Sequence, residues 1–121
     1  MKTTELFAVE QIGVVLVISP LCDFRELTSD ELLQGDPAGL MELLENGLVQ
    51  HVVVNCSRVD SFSSAGFAYL IRLWKKAQAG GGMVVICHAS AHLQQSMDVL
   101  HLSRLWNVTE TQDQALALVP R

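Results

Sequence analysis

A hydroxyl-rich turn is the stretch of this sequence whose residues could do chemistry. The turn, Ser57–Gly66, follows an apolar run, precedes a helical pattern and contains Asp60 among its serines. Ser64 stands where the helix is predicted to begin, so its hydroxyl can cap free N–H groups, a contact worth about 1 kcal/mol. As a nucleophile, Ser64 would need a base, and none follows at a recognisable spacing. From the residues alone, an N-cap is the favoured interpretation.

Other residue types that support catalysis or metal binding occur without the partners they need. Cys22 is a second conceivable nucleophile, but no His or Lys beside it would activate the thiol. His88 and His92 are four residues apart, yet a strand end and a helix start separate them and no third ligand is near. Gly80–Gly82 follows a helix, unlike a phosphate-binding loop, and no G-x-S-x-G motif surrounds Ser64. We therefore predict no catalytic site, no metal and no cofactor.

The composition is that of one soluble domain. The chain has 121 residues, half of them apolar, and a net charge of −5, so it can bury a core and lacks the basic surface that nucleic acid requires. Its longest aliphatic run, Val14–Ile18, is too short to cross a bilayer, and the first five residues lack a signal-peptide pattern. We expect a single domain over residues 1–121, in the cytoplasm, with no nucleic-acid partner and no direct membrane insertion. The three cysteines are expected to be reduced, with Cys56 and Cys87 buried at strand ends.

The elements that position the turn follow from apolar periodicity. Strands are predicted within residues 5–18, in two pieces around Gln11-Ile12-Gly13, and at His51–Cys56, Met83–Cys87 and Leu105–Val108. Helices are predicted after Asp36-Pro37, with Leu40, Leu43, Leu44 and Leu48 inward; at Ser64–Ala79; after a cap at Ser90, with Leu93, Met97 and Leu100 inward; and after a capping box at Thr111–Gln114, with Leu116 and Leu118 inward. Ser29 could cap a further short helix in the irregular stretch Leu21–Asp36. This alternation predicts an α/β fold with a mixed, mostly parallel sheet of about five strands and about four helices.

The helix Ser64–Ala79 is the most periodic element and divides into two faces. The inward face is predicted to carry Phe67, Leu70, Ile71, Trp74 and Ala77. The opposite face carries Ala65, Tyr69, Arg72 and Lys76, which would meet solvent or a partner.

This stretch resembles the signature of STAS domains, typified by bacterial anti-sigma-factor antagonists. In that family an apolar strand ending near an Asx residue leads to a turn of the form Asp-Ser-Ser/Thr-Gly, which opens a helix. The residues that carry the resemblance are Val52–Val59, then Ser63-Ser64-Ala65-Gly66, then Leu70, Trp74, Lys75, Lys76 and Ala77. The order of elements matches nearly the whole chain, so the resemblance implies a single STAS-like domain.

The resemblance implies a switchable binding protein. In phosphorylated members, the Ser after the Asp accepts phosphate from an anti-sigma factor that is also a serine kinase of the GHKL type. The corresponding residue is Ser64, with Ser63 as the alternative acceptor, and a PP2C-type phosphatase is implied as a further partner. The partner-binding residues implied or placed beside the turn are Ser63, Ala65, Gly66, Tyr69, Arg72, Lys76 and Asp23.

Two residues depart from the family pattern and keep an alternative open. Ser63 occupies the position of the usual Asp, and Ala65 that of the second Ser/Thr. Ser63 removes a carboxylate that could orient the turn, while Ala65 leaves fewer competing hydroxyls. The alternative to a phosphorylated antagonist is a STAS scaffold or transporter-associated subunit that is never phosphorylated, and an enzyme with Ser64 or Cys22 as its nucleophile is the third hypothesis.

Overall fold

The fold is a five-stranded sheet with helices on both faces. A computed structural model describes residues 7–21 and 40–119, and the predictions at Cys22, Asp23, Ser29 and Asp36-Pro37 lie outside these residues. The strands are β1 (Phe7–Ile12), β2 (Val15–Pro20), β3 (His51–Asn55), β4 (Val84–Cys87) and β5 (Asn107–Thr109). The helices are α1 (Leu40–Glu45), α2 (Ser64–Ala79), α3 (Ala91–Val99) and α4 (Gln112–Leu118), with a 3-10 turn at Leu102–Arg104.

The sheet is mixed and mostly parallel, as the alternation of elements predicted. Its strands lie in chain order, with β1 antiparallel to β2 and each later strand parallel to its neighbour. Val53 of β3 lies between Val17 of β2 and Val85 of β4. Parallel neighbours require crossover connections, and these are supplied by helices at each step from β3 onwards.

Alternating residues of the central strands belong to two separate hydrophobic cores, one on each face of the sheet. Leu16, Ile18 and Val54 point to one face, where they pack with α1, α2 and α3. Val17 and Val53 point to the other face, which α4 covers through a smaller cluster that includes Ala115 and Val119. Both faces of the central strands are therefore buried, which is why these strands read as uninterrupted apolar runs.

Three leucines predicted to point inward are exposed instead. Leu48 lies beyond the end of α1, so the helical period that placed it inward does not reach it. Leu100 is the C-cap of α3, where the helix has already stopped. Leu118 lies on α4 but points outward, because the buried position of that helix is Ala115 and the buried residue after it is the C-cap, Val119.

His51, which begins β3, is buried as part of the structure of the sheet. Its Nδ1 accepts a hydrogen bond from the backbone N–H of Met83 at 3.1 Å. Burial lowers the pKa of the His51 imidazole, which favours the neutral ring that can accept this bond.

The junction between α2 and β4 depends on a close approach of two backbones. The N–H of Gly82 donates to the Ala77 carbonyl at 2.7 Å, and a Cβ on Gly82 would lie 1.6 Å from the Gln50 carbonyl oxygen. Gly80, two residues earlier, has its nearest neighbouring atom at 3.7 Å from the position of a Cβ. Only Gly82 is therefore required to be glycine by the lack of space for a side chain.

Gly82→Ala is expected to lower the free energy of unfolding by about 2 kcal/mol or more, because the backbone of Gln50 must move to admit the methyl group. The matched control is Gly80→Ala, which should change stability by no more than about 0.5 kcal/mol. Urea denaturation followed by circular dichroism measures both, and equal stability of the two variants would contradict the assignment.

Candidate functional site

The turn after β3 begins with a local hydrogen bond that was not predicted from the sequence. Asn55 Oδ1 accepts from the Ser57 N–H at 3.0 Å, and Asn55 Nδ2 donates to Gln112 Oε1 of α4 at 2.9 Å. An Asx turn therefore starts the loop, and a side-chain bond fixes it to the helix on the opposite face of the sheet.

Ser63, not Ser64, is the N-cap of α2, so the cap predicted at Ser64 is wrong by one residue. The backbone of Ser63 is extended (φ −72°, ψ 171°) and its side chain accepts from the Gly66 N–H at 3.3 Å. Ser64 is already the first helical residue, and a cap must lie just outside the helix. Ser64 is exposed, and within residues 7–21 and 40–119 its hydroxyl has no hydrogen-bond partner. The Ser64 hydroxyl is thus open to solvent, while the Ser63 hydroxyl is bonded to the backbone N–H of Gly66.

The two faces of α2 differ from the predicted ones at Tyr69. Tyr69 was placed on the partner-facing side, but it is fully buried in the main core with Leu70 and Leu73. The buried face of α2 is rotated towards Tyr69 and Leu73 relative to the predicted one, and α1, which packs against α2, contributes to the same core. Ile71 and Trp74, predicted to be core residues, are only partly buried at its edge. The Tyr69 side chain is therefore not part of an exposed recognition surface.

The remaining predicted contact residues of α2 are distributed around its first turns and outer face. Gly66 is buried and contributes its N–H to the cap. Arg72 and Lys76 are exposed, as predicted, but Lys76 Nζ lies 2.5 Å from Glu45 Oε1 of α1. Lys76 is therefore already paired within the chain, and a partner that used it would compete with Glu45.

A groove between α2 and α3 opens beside Ser64. Its volume is about 700 Å³. Its lining is mostly apolar and includes Phe62, Phe67, Ile71, Val99, Leu100 and Leu102, with Ser64, His92 and Ser96 as polar members. Val99 is 77% and Leu100 51% exposed, so apolar surface lies open there. This groove was not predicted from the sequence. A signal was present, because Val99 and Leu100 are aliphatic residues at the end of α3 in addition to Leu93 and Met97, which form its buried face.

An acid–imidazole pair holds the turn against the start of α3. His92 Nδ1 lies 2.6 Å from Asp60 Oδ2, and the Ser90 hydroxyl donates to the Asp60 carbonyl at 2.6 Å. The hydrogen bond from His92 holds the pKa of the Asp60 carboxyl below its usual range. Asp60 and His92 are 32 residues apart, so no local pattern pointed to the pair.

His88 and His92, considered above as a chelating pair, are engaged separately. His88 Nε2 accepts from the Gln112 N–H at 3.3 Å, whereas His92 bonds Asp60. Among residues 7–21 and 40–119, no group of three His, Cys, Asp or Glu side chains could hold a metal ion.

Cys56 and Cys87 are buried and free, as predicted. Burial raises the pKa of Cys56 to about 12 and that of Cys87 to about 11. Both thiols are therefore protonated near neutral pH, and neither is a nucleophile in the folded chain.

The order of strands and helices matches one known architecture. The sequence profile of the STAS domain matches residues 8–115, which is most of the chain. The chain belongs to the STAS-domain family. In this chain the side-chain oxygen that caps the helix after the turn belongs to Ser63.

Solved structures of STAS proteins share the whole fold. A protein of Thermotoga maritima described as a candidate anti-sigma-factor antagonist superimposes with a TM-score of 0.76 at 16% identity, over 100% of both chains. A STAS-domain protein of Planctomyces limnophilus gives a TM-score of 0.72 at 24% identity, over 92% of this chain and 95% of its own. The phosphorylated form of the Bacillus cell-fate determinant SpoIIAA gives 0.69 at 16% identity, over 92% and 96%.

No curated protein sequence matches the chain significantly. In the part of the chain that the structure describes, no helix is both long and apolar enough to span a membrane.

Ser63→Ala is expected to destabilise the domain by about 1 kcal/mol through loss of the cap, whereas Ser63→Asp should preserve it, since Asp caps as well as Ser. Ser64→Ala is the matched control and should change stability by no more than about 0.5 kcal/mol. Thermal or urea unfolding measures the three variants, and a larger loss in Ser64→Ala than in Ser63→Ala would show that Ser64 is the cap.

Proposed function

We propose that this protein is a regulator of the anti-sigma-factor-antagonist type, which binds a kinase-type anti-sigma factor and is switched by phosphorylation of Ser64. The observation that carries the proposal is the presentation of Ser64: it is exposed at the first position of α2, and a separate serine does the capping. The protein acts in the cytoplasm as a binding partner and a substrate of the kinase, and has no enzymatic activity of its own.

The position of Ser64 suits a phosphoryl acceptor. A phosphoserine carries about two negative charges near neutral pH, and the free N–H groups and dipole of a helix N-terminus favour an anion there. The same charge at a surface that contacts a partner must be desolvated when the complex forms, so phosphorylation weakens binding. Removal of the phosphate by a PP2C-type phosphatase would restore the binding-competent form.

The recognition surface we propose is narrower than the predicted one. It comprises Ser63, Ser64 and Ala65 at the start of α2, together with Arg72 and Lys76 on its outer face. Gly66 contributes through its backbone, and Asp23 remains a proposed contact. The Tyr69 side chain is left out because it is buried.

Phosphorylation is tested by incubating the protein with ATP and each serine kinase of the GHKL type encoded beside its gene, then mapping the modified residue by mass spectrometry. We expect one phosphate, on Ser64, that is absent from Ser64→Ala and present in the control Ser63→Ala. Phosphorylation of Ser63 alone would contradict the proposal, because it would make the N-cap residue, not Ser64, the phosphoryl acceptor.

A non-phosphorylated STAS scaffold or transporter-associated subunit is the second candidate. It is favoured by the departure from the family pattern at Ser63 and Ala65 and by the open apolar groove beside α2. The two functions differ in what a fixed negative charge at position 64 does to binding.

Ser64→Asp separates these candidates. The switch predicts that this variant binds the partner at least about tenfold more weakly, a change of about 1.4 kcal/mol, because a charge enters the contact. Ser57→Asp, which places the same charge on an exposed residue earlier in the turn, is the matched control and should bind normally. Calorimetric titration measures all three proteins, and unchanged affinity of Ser64→Asp would support the scaffold.

A further inference from the structure

Ser64 and His92 line one groove, and His92 is hydrogen-bonded to Asp60. We propose that His92, held by Asp60, is the group that binds the phosphoryl group on Ser64. This inference rests on Ser64 being the modified residue. It makes His92 a phosphate-binding residue of the switched state and Asp60 the residue that positions it.

The hydrogen bonds of the unmodified protein leave the required atoms unoccupied. Asp60 engages Nδ1 of His92, so Nε2, on the other side of the ring, is left for a second partner. Within residues 7–21 and 40–119, neither His92 Nε2 nor the Ser64 hydroxyl has a hydrogen-bond partner, and both side chains line the groove. A phosphoryl group extends the Ser64 side chain with three acceptor oxygens, and so adds an anion to the groove that His92 also lines.

The position of His92 relative to Ser64 is fixed by several contacts. The loop that leads into Ser63 and Ser64 is held to α3 through the Asp60 carbonyl, which accepts from Ser90, and through the Asp60 carboxylate. Ser90 is itself the N-cap of α3, accepting from the Leu93 N–H at 2.9 Å. A third contact joins the hydroxyls of Ser61 and Ser96 at 3.5 Å. These hydrogen bonds hold the loop and the start of α3 together, and so fix the position of the His92 ring, although 62% of its side-chain surface is exposed.

The charge pattern suits an imidazolium between two anions. When doubly protonated, His92 donates from Nδ1 to the Asp60 carboxylate and from Nε2 to the phosphate, and its second proton comes from solvent. The basic residues of α2 are less well placed, because Arg72 and Lys75 follow Ser64 by about 12 and about 16 Å along the helix axis. Arg58, exposed in the same turn, is the competing cation that an experiment must separate from His92.

Phosphoserine encoded directly at position 64 of the full chain allows a test that needs no kinase. Phosphorus NMR then follows the second ionisation of the phosphate, which lies near pH 6 in a free phosphoserine. We expect the pKa in the otherwise unchanged protein to be lower than in His92→Gln by about half a unit, since an adjacent cation favours the dianion.

Two control variants sharpen the result. His101→Asn removes another exposed imidazole from a left-handed backbone position (φ 61°) that Asn tolerates, and should leave the phosphate titration unchanged. Arg58→Gln should also leave it unchanged. A shift produced by Arg58→Gln and not by His92→Gln would overturn the assignment, as would identical phosphate titrations in His92→Gln and the unsubstituted protein.

The kinase assay and the NMR experiment fail independently. If no kinase modifies Ser64 but His92 still lowers the phosphate pKa in the encoded protein, the proposed switch fails and the phosphate site stands. If a kinase modifies Ser64 but His92→Gln has no effect, the switch stands and the role of His92 is wrong.

Discussion

The constraint on which this structure depends is that its central strands must be covered on both faces. Residues of β2, β3 and β4 alternate between two dry cores, so neither face can be left to solvent. Because neighbouring strands are parallel, each crossover helix starts from the same edge of the sheet, where the carboxyl ends of the strands meet. The turns after β3 and β4 therefore lie side by side. That proximity places Asp60 within hydrogen-bond reach of Ser90 and His92.

The site at that edge is built by dividing tasks among similar side chains. Ser63, Ser64 and Ser90 are chemically alike, yet the hydroxyls of Ser63 and Ser90 cap helices, while that of Ser64 makes no hydrogen bond in the described part of the chain. A cap contributes only about 1 kcal/mol, a small fraction of the stability of a domain. The cap matters more for position than for stability, because capping by Ser63 leaves the Ser64 hydroxyl unbonded at the surface.

Local signals predicted much of this fold from the sequence. The bounds of α2, the cap at Ser90 and the capping box Thr111–Gln114 agree with the structure because each depends on residues within one turn of one another. The parallel sheet was predictable from the alternation of apolar runs with helical periods. The family signature added the expectation that recognition is centred on Ser64, which the sequence alone would have left as a cap.

The failures occurred where a distant element decides the outcome. Tyr69 was assigned to the exposed face of α2, but it is buried in the core that the sheet and several helices share. The pairing of Asp60 with His92 depends on two loops that meet only when β3 and β4 pair. The groove beside Ser64 is likewise lined by residues of α2 and α3 together, so no single segment of the sequence encodes it.

The groove and the hydroxyl are neighbours for the same reason, and this proximity links recognition to chemistry. Phe67 and Ile71 line the groove from the helix that Ser64 begins, so a partner seated on this apolar surface necessarily covers the start of α2. A charge added at Ser64 then has to be desolvated with the partner or neutralised by a cation within the protein. His92 lies across the same groove and is oriented by a carboxylate. The chain itself thus supplies the group that could keep an anion on its own surface, which would favour the free, modified protein over the complex.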